Sequence, residues 1–187
     1  WEALDPAFIV ASGLQTDSRD DVWSVSRYAS RALAHHREGD PDWTPLDPPA
    51  GVGVSDLYVT LFIDSNDRKW IPLQSATSAG RGILVLDTGA DPASSEDDRA
   101  VILTDGSAAG NLPDPRVNAV VEDLGGEIWV GTDRGIARFL FPDLIVDGGA
   151  AERQAQWLIA EDPGGASPFL LRDITVTAMA VNGANQK

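Results

Sequence analysis

The 187-residue chain has no cysteine, only two lysines, two histidines and one methionine, and each shortage removes a class of explanation. Without cysteine there is no disulfide framework and no thiolate metal site. With Lys+Arg at 14 against Asp+Glu at 29, the net charge is −15, and such a surface repels a phosphate backbone. Nucleic acid is therefore excluded as an expected partner. No apolar run approaches the roughly 18–20 residues that a helix needs to cross a bilayer, so no membrane span is expected.

Asp supplies 22 of the acids and Glu only 7. This Asp-rich, Lys-poor balance is that of salt-adapted proteins, and acidic turns account for it equally well. Apolar content of 43% rules out a disordered tail, and the length suits one domain or a piece of one. The chain opens on Trp1 rather than Met and shows no signal segment, which predicts a processed, trimmed or partial product.

A repeat organises what is present. An acid precedes a tryptophan by six positions three times, at Asp17 and Trp23, Asp64 and Trp70, and Asp123 and Trp129. A fourth acid-like position, Asn182, lies 59 residues after Asp123, the interval that also separates Asp64 from Asp123; the first interval is 47. Lys69 precedes Trp70, so Lys187 is expected to precede a Trp beyond this chain, and the stop at Lys187 is expected to reflect proteolysis or missing chain. Each repeat reads as short strands and turns. In the third, a strand over 116–122 leads into the glycine turn Asp123-Leu124-Gly125-Gly126. Strands over 127–131 and 136–141 follow, with a fourth around 156–159.

Four short antiparallel strands at a period of 40–60 residues predict a β-propeller. The expectation is an all-β propeller fragment of about three four-stranded blades, approximately 5–47, 55–104 and 114–160. A flanking strand is expected at each end, in partial units 1–4 and 174–187. Three units cannot close a ring, so the remaining blades of the same propeller are expected partners.

The recurring acids, with Asn182, read as turn residues whose side chains accept backbone N–H groups, and the tryptophans as packing between blades. Gly126, Gly131 and Thr132 belong to the same turn-and-strand unit. A calcium reading of Asp64, Asn66 and Asp67 lacks the Glu and Gly of an EF-hand. His35-His36 with Glu38 invites a metal, but neighbours in a strand face opposite ways. No catalytic residue, cofactor or metal site is expected, since no nucleophile is paired with a base and no phosphate loop is present.

Over residues 110–139, Leu112-Pro113, the Val-rich strand, Glu122-Asp123, Gly125-Gly126, Trp129-Val130-Gly131-Thr132, Gly135-Ile136 and Phe139 resemble the two-component regulator propeller repeat. The second repeat departs, with Trp70-Ile71-Pro72. Its Asp64–Trp70 stretch and residues 181–187 are similar to repeats of PorZ-type propeller proteins of the type IX secretion system. The resemblance implies a binding or scaffold protein of the periplasm or cell surface of a Gram-negative bacterium. It would have protein partners in an envelope complex and a role in delivering lipopolysaccharide. The same repeat family also implies the periplasmic ligand-sensing propeller of a hybrid histidine kinase, and more remotely a propeller glycan hydrolase or lyase. No family binding residue carries over, because the shared motifs are scaffold. Recognition is expected instead on the inserts at 74–80, 88–99 and 143–153.

Overall fold

The computed structural model describes residues 11–27, 31–53, 56–77, 79–158 and 170–184. Three antiparallel sheets follow one another along the chain. The first holds β1 (Ala11–Thr16), β2 (Val22–Ser26), β3 (Leu33–His36) and β4 (Thr44–Leu46) in sequential order. The second holds β5 (Leu57–Tyr58), β6 (Phe62–Ile63), β7 (Lys69–Gln74), β8 (Gly80–Asp87) and β9 (Arg99–Leu103). The third holds β10 (Val117–Glu122), β11 (Ile128–Thr132), β12 (Gly135–Phe139) and β13 (Gln156–Trp157). A short 3₁₀ turn, Pro142–Leu144, is the one helical element among the described residues.

The structure departs from the sequence expectation in two strands. The first strand of the second repeat, the apolar run over 58–63, is split into β5 and β6, both paired to β7, and the register slips by one residue between them. Pro72 stands opposite the split, where it lacks an N–H for the ladder and only its carbonyl is used, by the Val59 amide at 3.0 Å. The same slip falls between Ala11 and Gly13 and between Val117 and Ala119, so every first strand carries a bulge five residues before its acid. Residues 176–181, in the flanking unit expected to supply a strand, form no ladder among the described residues. They are held by the Val176 amide, which donates to the Thr132 carbonyl at 2.9 Å. The expected strand 1–4 lies outside the described residues, and so do residue 159 of the fourth strand of the third repeat and Lys187.

Each sheet buries both faces of its middle strands, and the core lies in the seams. One cluster joins Trp23, Val25 and Leu33 of the first sheet to Ile71, Leu73, Leu84 and Leu86 of the second. Another joins Trp70, Ile83, Val85 and Leu103 of the second to Val117, Ile128 and Val130 of the third. Strands buried on both faces read as continuous apolar runs, which is what β7, β8 and β11 show. These are three blades of a β-propeller fragment.

Candidate functional site

The first hairpin of every blade is built on its acid. Asp17 Oδ1 accepts the amides of Arg19 (2.9 Å) and Asp21 (3.1 Å), while Oδ2 accepts the Trp23 indole N–H at 2.9 Å. Asp64 Oδ1 accepts Asn66 N and Arg68 N at 3.0 Å each, and Oδ2 accepts Trp70 Nε1 at 2.8 Å. Asp123 Oδ1 accepts Gly125 N (2.8 Å) and Glu127 N (3.1 Å), and Oδ2 accepts Trp129 Nε1 at 3.0 Å. The six-residue spacing is thus the reach from a turn carboxylate to an indole that enters the core on the returning strand. All three acids are buried, as are the three tryptophans.

The turns share one backbone. The amide three residues after each acid donates back to the acid's carbonyl, at 3.2, 2.9 and 3.0 Å, and the residue there has positive φ: Asp20 (64°), Asp67 (62°) and Gly126 (80°). This is a type I turn closed by a left-handed residue. Gly126 meets the requirement without strain, whereas Asp20 and Asp67 tolerate it as short polar residues do. Asn182 repeats the local contact, its Oδ1 accepting the Ala184 amide at 2.9 Å.

At Asp17, burial by itself would raise the carboxyl. Hydrogen bonds from the Trp23 indole and from the Arg19 and Asp21 amides, with the Arg19 charge, outweigh it and hold the group below its ordinary value. Every oxygen of Asp64 is committed, because Arg68 Nε also donates to Oδ2 at 2.7 Å. Asp67 accepts Ser18 N and Oγ across the seam, and Asn66 Nδ2 donates to Asp143, so the trio weighed for calcium is spent on turn and seam. Among the described residues no group of three or more His, Asp or Glu is arranged to hold a metal ion. His35 is buried against Trp23, while His36 Nε2 lies 3.1 Å from the Asp40 carbonyl.

Blades are sewn together at the same turns. Ser18 binds Asp67, and Ser65 donates from N and Oγ to Glu122 at 2.7 and 2.6 Å. Arg68, itself buried, reaches Asp143 at 2.8 Å. Gly131 allows the 174–182 segment to approach: a Cβ there would stand 2.7 Å from Val176 Cγ1. Thr132 is fully buried, its Oγ1 donating to the Gly135 carbonyl at 2.9 Å and accepting Arg134 N at 3.2 Å.

Two features had no sequence signal. Lys69 is 1% exposed, with Nζ 3.9 Å above the Trp23 ring of the preceding blade and 2.9 Å from Thr88 Oγ1; burial pulls the amine down to about 8. A lysine inside an apolar strand is indistinguishable from a solvated one until the neighbouring blade is in place. The second is a groove of about 280 Å³ where the first strands of all three blades meet the 174–182 segment, lined among others by Gln15, Leu61, Asn118, Val120 and Met179.

The three candidate loops do not form one surface. Residues 88–99 and 143–153 lie at the end of the blades that carries the acid turns, bridged by Arg99 and Asp147 at 2.5 Å. The described residues of 74–80 lie at the opposite end, where the Ser75 amide donates to the Ala79 carbonyl at 2.8 Å. The 88–99 loop folds onto the edge of β4 around a cavity of about 150 Å³ lined by Arg31, Asp47, Pro92 and Asp98.

Among solved structures the chain is similar to PorZ, described as an essential bacterial surface component of the type IX secretion system of Porphyromonas gingivalis. The TM-score is 0.79 at 16% identity over 94% of this chain and 24% of that one. The chain has the propeller fold of the part of PorZ that it matches. YCF48 from Cyanidioschyzon merolae matches at TM-score 0.50 and 12% identity, over 75% of this chain and 38% of the other. The extracellular domain of the hybrid two-component system BT3049 from B. thetaiotaomicron matches at 0.49 and 18% identity, over 76% and 16%. No family model and no curated protein matches the chain. The chain spans about a quarter of the PorZ chain it matches. No helix among the described residues is long and apolar enough to cross a membrane.

Proposed function

We propose that this chain is part of a non-catalytic recognition propeller of the bacterial envelope, similar in role to PorZ in a type IX secretion complex. The observation that carries the proposal is the superposition of three consecutive blades on PorZ over nearly the whole chain. The site geometry supports it from the other side. The recurring acids, which would be the first candidates for acid–base or cation chemistry, have their oxygens committed to turn amides and indoles, leaving recognition to loops held by a rigid frame.

The partner surface is the end carrying 88–99 and 143–153. A chain of net charge −15 has no unaided grip on a phosphorylated glycan, so its partners are proteins of the envelope complex, and lipopolysaccharide is reached through them or through a bridging cation. The test is affinity capture from the envelope fraction with the natural chain and with a variant in which both loops are replaced by short turns. Discrete envelope proteins captured by the natural chain and lost with the loops support the proposal. Capture that survives loss of both loops, or turnover of a glycan by the purified chain, overturns it.

A further inference from the structure

The seam between the first two blades contains a group for which the fold provides no partner once it is charged. His35 on β3 is 3% exposed, and neither ring nitrogen has a hydrogen-bond partner among the described residues. Its ring meets the Trp23 indole edge-on with centroids 5.1 Å apart, and Lys69 Nζ of the second blade stands over that same indole. A neutral imidazole is tolerable there as an aromatic filler. An imidazolium needs acceptors, and the carboxylates within electrostatic reach are engaged.

On the β1–β2 turn, Asp17 holds the Trp23 indole and two amides and pairs with Arg19, while Asp21 is bound by Arg37, which follows β3. On the second blade, Asp67 is taken by Ser18 and Asp87 by Arg99. Asp98 has a buried oxygen without a partner, but the charges it faces are Asp97, Lys69 and Asp87. A proton on His35 would therefore place a second buried cation beside the first, across one indole.

We propose that His35 makes the seam between the first and second blades an acid-released latch: closed while the imidazole is neutral, and loosened when the ring takes up a proton. The proposal does not depend on what the propeller binds. Its output is mechanical, since the second blade carries the 88–99 loop, and Arg19 Nη1 holds that loop to the first blade through the Ala90 carbonyl at 3.1 Å.

The direction follows from linkage. Burial depresses the imidazole below its ordinary 6.5, opposed in part by Asp21 and reinforced by Arg37 and Lys69. The stabilisation is thus complete above pH 6.5 and is lost as pH falls through the folded value, at up to about tenfold in the folding constant per pH unit. Asp98, raised by burial, works oppositely, favouring the folded state as it protonates, so only a difference between variants isolates His35.

The experiment is amide hydrogen exchange at pH 7.5 and 5.5 on the chain and on His35→Phe, with the His35 ring proton titrated by NMR in the natural chain. Faster relative opening of residues 22–26 and 33–36 at pH 5.5, absent in His35→Phe and coincident with a ring titration below 6.5, is the expected result. A ring that titrates at or above 6.5, or one that titrates without any change in seam opening, overturns the latch. The NMR arm needs no variant, so a His35→Phe chain that fails to fold still leaves the outcome decisive.

Discussion

Removing the carboxylate at Asp64 is the most informative single perturbation, because it separates a structural acid from a cation site. Asp64→Ala strips acceptors from the Asn66 and Arg68 amides, from Arg68 Nε and from the Trp70 indole, in a site where Asp64, Arg68 and Trp70 are all nearly inaccessible. The turn amides recover water at modest cost. The indole N–H does not, and an unsatisfied buried donor costs about 1–3 kcal/mol. Arg68 keeps its exposed partner Asp143 but loses its buried one, and breaking a buried pair costs about 3–5 kcal/mol. Because the remaining partner shares the load, the sum is about 4 kcal/mol. With a urea m-value of about 2 kcal/mol/M, the midpoint falls by about 2 M.

Asp123→Ala, which has no buried arginine to strand, costs less, about 2–3 kcal/mol, and Asp64→Asn falls between the natural chain and Asp64→Ala. Equilibrium urea unfolding at neutral pH, with and without millimolar calcium or a chelator, reads all of this. A loss below about 1 kcal/mol for Asp64→Ala, or a natural chain whose midpoint moves with calcium, would refute the reasoning.

Gly131→Ala forces a Cβ to within 2.7 Å of Val176 and is expected to cost about 1–3 kcal/mol, with increased proteolysis in the 170–184 segment as the local readout. Asp20→Gly relieves a left-handed aspartate and is expected to raise stability by about 0.5–1 kcal/mol, measured by the same urea series. The natural chain should gain stability as pH rises from 8 to 10.5, because the folded state releases the Lys69 proton first. Lys69→Met should abolish that gain and, after the lost cation–π contact is set against the relieved burial, stabilise the chain at pH 7 by about 1–2 kcal/mol.

The blade count, the strand order and the six-residue spacing of acid and tryptophan were legible in the sequence because they repeat; the hydrogen bond that joins each carboxylate to its indole was not, since the acids read as turn residues and the tryptophans as packing. What was not legible depends on partners far along the chain. The bulge opposite Pro72 requires knowing which strand pairs with it, and the burial of Lys69 requires the Trp23 ring 46 residues earlier. The separation of residues 74–80 from the other two inserts follows from strand direction. Gly126 marks the left-handed position in the third turn, but nothing in Asp20 or Asp67 alone announces the same φ.

The account rests on a division of labour between a frame that fastens blades and loops that recognise. Its most direct test is the affinity for the captured envelope partner, measured side by side for Asp123→Asn and for the chain with 88–99 replaced by a short turn, below the unfolding range of both. The account predicts a Kd within about twofold of the natural chain for Asp123→Asn despite its lower midpoint, and lost binding for the loop replacement although its fold persists at a midpoint lowered by the loss of the Thr88 contact to Lys69. Binding that fails with Asp123→Asn while the fold persists, and survives without the loop, would contradict it.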